Sequence, residues 1–189
     1  ELIPHFVKHY RALGVRQFVF IDNMSNDGTT EFLLEQGDCV VFQTAASYAE
    51  ANFAVDWINE LVATHFRDRW VMHVDCDEHL VLPVAAEDNV ATFARRLSEE
   101  RADTAYAVML DTYPATDFRT VRIAAEDDIH DKLGYFDADY VFRAFPQRFW
   151  EPKADKFRLE VLGGPKWRIM KQLDLRRPTG AFHDTYFNI

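Results

Sequence analysis

The chain has 189 residues, 48% hydrophobic and 28% charged, which suits one soluble globular domain, or one with a small appendage, and excludes a chain too polar to build a core. A formal net charge of −10 argues against a nucleic-acid partner and against simple adhesion to an anionic membrane. The two cysteines, Cys39 and Cys76, match neither a disulfide framework nor a zinc pattern, so a cytoplasmic setting is expected; no apolar run has the roughly 18 residues of a transmembrane segment.

Residues 2–13 set Leu2, Phe6, Val7, Tyr10 and Leu13 on one stripe, with Pro4 near the start and Gly14 past the end, as an amphipathic helix requires. Gln17-Phe-Val-Phe-Ile21 has the composition of a buried strand. It stops at Asp22-Asn-Met-Ser25-Asn-Asp27-Gly28-Thr29-Thr30, a loop of residues that cap helices and bond their own backbone. A helix over 30–36, a turn at Gly37-Asp38 and a strand over 39–43 follow. A long helix is expected over 48–66, with Phe53, Trp57, Leu61 and Val62 on its apolar side.

The next stretch, Trp70-Val-Met-His-Val-Asp75-Cys-Asp77-Glu78-His-Leu-Val-Leu-Pro83, is an apolar strand pattern interrupted by carboxylates. Strand alternation would point Asp75 and Asp77 to one side and Cys76 to the other. Carboxylates so close repel unless a cation or water satisfies them, and hard oxygen donors suit magnesium or manganese. A solvated acidic turn is the alternative. A helix over 90–101 and a strand over 104–110 complete an alternation of strands and helices. The expected fold is therefore α/β: a mostly parallel sheet covered by helices on both faces, with ligands beyond the carboxyl ends of the strands, where both Asp22 and Asp75 fall. After Pro114 periodicity fades. Glu126-Asp127-Asp128 reads as an acidic turn, 162–165 as a turn around Gly163-Gly164, and 166–171 as a basic stretch. Phe149, Trp150 and Trp167 could stack on a sugar ring, with core packing the default among 16 Phe and 4 Trp.

Taken together, the opening segment 1–14, the loop from Asp22 to Thr29, the stretch from Trp70 to Leu82, and Met109-Leu-Asp111-Thr-Tyr113-Pro114 resemble a family 2-type glycosyltransferase with the GT-A (Rossmann-like) fold, of the bacterial branch carrying a D-x-D-E motif. Tyr135-Phe136-Asp137-Ala-Asp139-Tyr140 and Gly163-Gly164 resemble further family segments. The resemblance implies a single domain over 1–189, with a nucleotide-binding half at 1–115 and an acceptor-side half at 116–189. The family's first strand has no counterpart in this sequence, and the expectation is that residues ahead of Glu1 have been trimmed.

The resemblance also implies roles. Asp22 would bind the base or ribose of a sugar nucleotide, within a loop shaped by Asn23, Ser25 and Asp27. Asp77 would ligate Mn2+ or Mg2+ directly, with Asp75 reaching the ribose or the metal through water. Glu78 would be an outer partner or plain surface. His183 would complete the metal shell, and Lys166 and Arg168 would hold phosphate or acceptor. Asp137 and Asp111 are the candidates for the base that deprotonates the acceptor. The expected activity is metal-dependent, inverting transfer of a sugar from a nucleotide diphosphate, such as a uridine diphosphate sugar, to a glycan or other hydroxyl acceptor. The alternatives are a nucleotidyltransferase and a non-catalytic nucleotide- or carbohydrate-binding domain.

Overall fold

A computed structural model of the chain describes residues 2–82, 89–102, 105, 107–145 and 158–165, with the backbone alone at 141–145 and 158–162. The chain divides between residues 106 and 107 into two compact units. Asp111 and Tyr113 therefore belong to the second unit, although the expected halves met at 115.

The first unit begins with α1 (Ile3–Ala12), which starts on Pro4 and buries His5, Phe6, Val7 and Tyr10. It ends in a Schellman cap: Gly14 at φ +92 donates to Arg11 O and Val15 to Tyr10 O, a left-handed position that glycine takes without a Cβ penalty. Strand β1 (Phe18–Asp22) pairs in parallel with β2 (Cys39–Gln43), Phe18 opposite Cys39 through Asp22 opposite Gln43, and the crossover carries α2 (Thr29–Leu34). Phe6, Val7, Tyr10, Phe18 and Leu33 form the core. Its aromatic rings meet at an angle, with Phe6 at 4.6 Å from Tyr10 and 5.9 Å from Phe20, the tilted geometry that ring quadrupoles favour. Helix α4 (Val90–Glu99) starts on an Asn89 side chain that accepts from Thr92 N–H, and Val90 N–H donates to Leu13 O at the end of α1.

Two expectations change here. The helix expected over 48–66 is α3 (Val55–His65) only, because Asn52, Phe53 and Ala54 all have left-handed φ, which a right-handed helix does not admit. Residues 70–82 join no sheet, although their side chains alternate as a strand's would. Met72, Val74, Cys76 and Leu80 pack on the core while His73, Asp75 and Asp77 are exposed. The described residues of the expected strand over 104–110 likewise join no ladder.

The second unit contains two antiparallel ribbons. Strand β3 (Thr112–Tyr113) pairs with β4 (Tyr135–Phe136), and β5 (Val141–Phe145) pairs with β6 (Arg158–Leu162). A 3-10 turn (Phe118–Thr120) and α5 (Ile129–Lys132) lie between β3 and β4, each started by an aspartate, Asp117 and Asp128, that accepts a backbone N–H. Among the described residues no helix is long and apolar enough to cross a membrane.

Candidate functional site

At the carboxyl end of β1, Asp22 is 5% exposed. Its Oδ1 accepts from Ser25 N–H at 3.2 Å, and its Oδ2 accepts from the Thr30 hydroxyl and the Gln43 amide, each at 3.1 Å. Ser25 first, then Gln43 and Thr30, hold this carboxyl below its ordinary value by bonding the charged form. A carboxylate offers about four acceptor sites, so most of this one is used by its own loop. Asn23 laces the ends of both strands together by donating to Thr44 O at 2.8 Å and Ala46 O at 3.1 Å. Asp27 accepts from Thr29 N–H as α2 begins. Asp22 is thus the keystone of the loop. Asn23, Ser25 and Asp27 are its exposed rim.

The acidic stretch is built differently. Asp75-Cys76-Asp77-Glu78 closes a turn, with Glu78 N–H donating to Asp75 O at 3.0 Å and Asp75 N–H to Glu78 Oε2 at 3.3 Å. A strand would satisfy the backbone that follows from a neighbouring strand. Here α1 supplies the partners. Tyr10, 1% exposed, donates its hydroxyl to Glu78 O at 3.1 Å and accepts from Leu80 N–H at 3.0 Å. His9 Nε2 lies 2.8 Å from Leu80 O, and its ring stacks on His79 at 4.4 Å. With the backbone so occupied, Asp75 and Asp77 project to solvent from one turn.

Glu78 turns back onto that turn, accepting from Asp75 N–H, and is half-buried, so it is not plain surface. Burial pushes its carboxyl above the ordinary value, and the Asp75 and Asp77 charges push the same way. Carboxylate oxygens such as those exposed here are the donor type that hard divalent cations take.

In the second unit, register produces a third group. Thr112 faces Phe136 and Tyr113 faces Tyr135, and Asp111 and Asp137 flank the ends of this two-pair ribbon. Tyr113 donates its hydroxyl to Asp137 Oδ1 at 2.6 Å. The β5–β6 register, Val141 opposite Leu162, likewise brings Gly163 opposite Tyr140. A Cβ at Gly163 would lie 2.5 Å from Asp139 O; one at Gly164 would lie 2.7 Å from the Tyr140 hydroxyl and 3.6 Å from Asp111 Oδ2. Only glycine permits that approach. The Tyr140 hydroxyl is covered, and burial, with the Asp111 and Asp137 charges, pushes it above its ordinary value.

The structure therefore gathers Asp22 with Ser25 and Thr30, Asp75 with Glu78, and Asp137 with Tyr113. Lys166, Arg168 and His183 lie outside the described residues, as do Phe149, Trp150 and Trp167. Sequence reasoning missed Tyr10, His9, Tyr113 and Tyr140 as supports, since no local spacing announces a hydroxyl that reaches across 68 residues. Comparison with protein-family models, curated proteins and solved structures finds no match for this chain.

Proposed function

We propose that the protein is a metal-dependent, inverting glycosyltransferase of family 2 type with a GT-A-like fold, moving a sugar from a nucleoside diphosphate donor to a hydroxyl acceptor. The observation that carries this reading is the 75–78 turn, which exposes Asp75 and Asp77 while the side chains of α1 satisfy the backbone beyond it.

In this reading Asp77 and Asp75 would hold Mn2+ or Mg2+, which would supply neutralisation of the charge on the leaving group. The exposed rim of the Asp22 loop, Asn23, Ser25 and Asp27, contacts the nucleoside, and Asp22 holds that rim in shape. A carboxylate base would take the acceptor's hydroxyl proton. The acceptor oxygen bonds the anomeric carbon as that carbon's bond to phosphate breaks, and the electron pair leaves with the nucleoside diphosphate.

Thermal shift with uridine diphosphate, with and without Mn2+, tests the reading. Metal-dependent stabilisation of about 2.7 kcal/mol is expected at a hundredfold excess over Kd, and it disappears in Asp77→Ala. Release of nucleoside diphosphate from sugar nucleotides, against no reaction with nucleoside triphosphates, separates the transferase from a nucleotidyltransferase. The largely occupied Asp22 carboxylate favours one second reading, a nucleotide-binding module without turnover: binding would persist and no sugar would be released.

A further inference from the structure

We propose that Tyr48, Phe53 and Trp57 form a stacking platform for the nucleobase of the donor, an assignment that rests on the sugar-nucleotide reading above. The three rings make one cluster in the first unit. Tyr48 lies 5.8 Å from Phe53, edge to face at 77°, and 6.3 Å from Trp57 at 60°. Tyr48 is 52% exposed and Phe53 65%. Taking rings of this size out of water is favourable, so a cluster that leaves two of them in solvent marks a binding surface.

The backbone holds that cluster open. Asn52, Phe53 and Ala54 take φ of 51°, 57° and 69°, a left-handed run without a glycine. Such residues carry strain that their surroundings must offset, and strain of this kind gathers at ligand sites. The segment is tied on both sides. Phe53 N–H donates to Tyr48 O at 3.0 Å, Ala51 N–H to Ser47 O at 3.1 Å and Glu50 N–H to Ser47 Oγ at 3.3 Å. Ile58 N–H donates to Ala54 O at 3.1 Å as α3 begins.

Position in the fold selects the occupant. Asn23, on the rim read as contacting the nucleoside, donates to Thr44 O and Ala46 O, and Tyr48 stands two residues past Ala46. Two residues span at most about 7 Å, so the platform starts beside that rim. Met24, 63% exposed, adds an apolar edge to the same rim. Glu50 and Asp56, both exposed, belong to the ring-bearing segment. Their charges repel phosphate, which leaves the uncharged, flat base as the part of the donor that suits this surface. Aromatic faces stack on any base, so the platform adds affinity without choosing among bases.

The test uses the full chain and reads uridine diphosphate binding with Mn2+ by calorimetry, beside inorganic pyrophosphate with Mn2+ as a probe that has no base. Phe53→Leu keeps apolar bulk and removes the flat face. It should weaken uridine diphosphate binding roughly 5- to 100-fold, the worth of one base–aromatic stack. Pyrophosphate binding should stay at the parent's value. Phe53→Tyr keeps the face and should restore uridine diphosphate binding. The assignment is overturned by parental uridine diphosphate binding in Phe53→Leu, including the case where that variant raises acceptor KM instead, which would put a sugar on the rings. It is overturned equally if pyrophosphate binding falls as far as uridine diphosphate binding, or if a folded Phe53→Tyr binds as weakly as Phe53→Leu. Failure of the parent chain to bind uridine diphosphate overturns the sugar-nucleotide reading itself, and this assignment with it; failures confined to the variants leave that reading standing.

Discussion

The Asp22 loop and the 75–78 turn both expose polar side chains from the first unit, yet they use their carboxylates in opposite ways. Asp22 accepts from Ser25, Thr30 and Gln43 and is buried, so its charge holds together the loop that contains it. In the turn, Glu78 takes the inward role and Tyr10 with His9 binds the backbone beyond it, leaving Asp75 and Asp77 outside. A carboxylate is available to a ligand only where something else satisfies the local backbone. On that ground Asp75 and Asp77 are the carboxylates open to a ligand, with Asp22 organising its loop.

The comparison breaks most visibly at Tyr10. Replacing it by alanine empties a core position and orphans the Glu78 carbonyl and the Leu80 N–H, and should cost about 3–5 kcal/mol in equilibrium urea unfolding. Tyr10→Phe keeps the ring and should still cost about 1–3 kcal/mol while weakening Mn2+-dependent nucleotide binding. If Tyr10→Phe left both stability and binding at parental values, the turn would not depend on α1.

Asp22→Asn and Asp77→Ala sharpen the contrast. Asp22→Asn should destabilise by about 1–3 kcal/mol, because one oxygen acceptor becomes a donor facing donors. Asp77→Ala, at an exposed position, should stay within about 0.5 kcal/mol in stability while abolishing the metal-dependent shift. Equal stability losses in the two variants would erase the distinction drawn here.

Acid titration gives a finer reading. The Asp22 carboxyl is lowered in the folded state, so the unfolded chain binds more protons as pH falls below the ordinary carboxylate value of about 3.9. The stability it contributes is complete above that value and is lost as pH falls through the folded one. Unfolding followed between about pH 5 and pH 2 should show a shallower acid limb in Asp22→Asn.

The smallest effect concerns the thiols. Burial pushes Cys39 up to about 11, and burial also raises Cys76 beside Asp75 and Asp77. Neither cysteine is in a disulfide. Both should react with a thiol reagent at pH 8 far more slowly in the native protein than after denaturation; equal rates would contradict that burial.

Much of the first unit was legible in the residues. Pro4 and Gly14 bracket α1 as expected, and β2 covers the expected residues 39–43. These elements announce themselves because their punctuation and periodicity are local. The helix expected from residue 48 starts only at Val55, since neither proline nor glycine marks the left-handed turn at 52–54. The stretch from Trp70 shows a strand's alternation, which a chain lying against a core produces whether or not a ladder forms. Asp111 and Asp137 were separate candidates with no stated relation.

The amino-acid order by itself determined which carboxylates exist, which face of each helix is apolar, and where the chain turns, because these depend on neighbours within a few residues. Tertiary structure alone decided which carboxylate is occupied by its own loop and which is exposed, and that Tyr113 bonds Asp137 across the β3–β4 turnback. Those outcomes depend on strand register and on hydroxyls arriving from distant elements, and neither leaves a mark in local spacing.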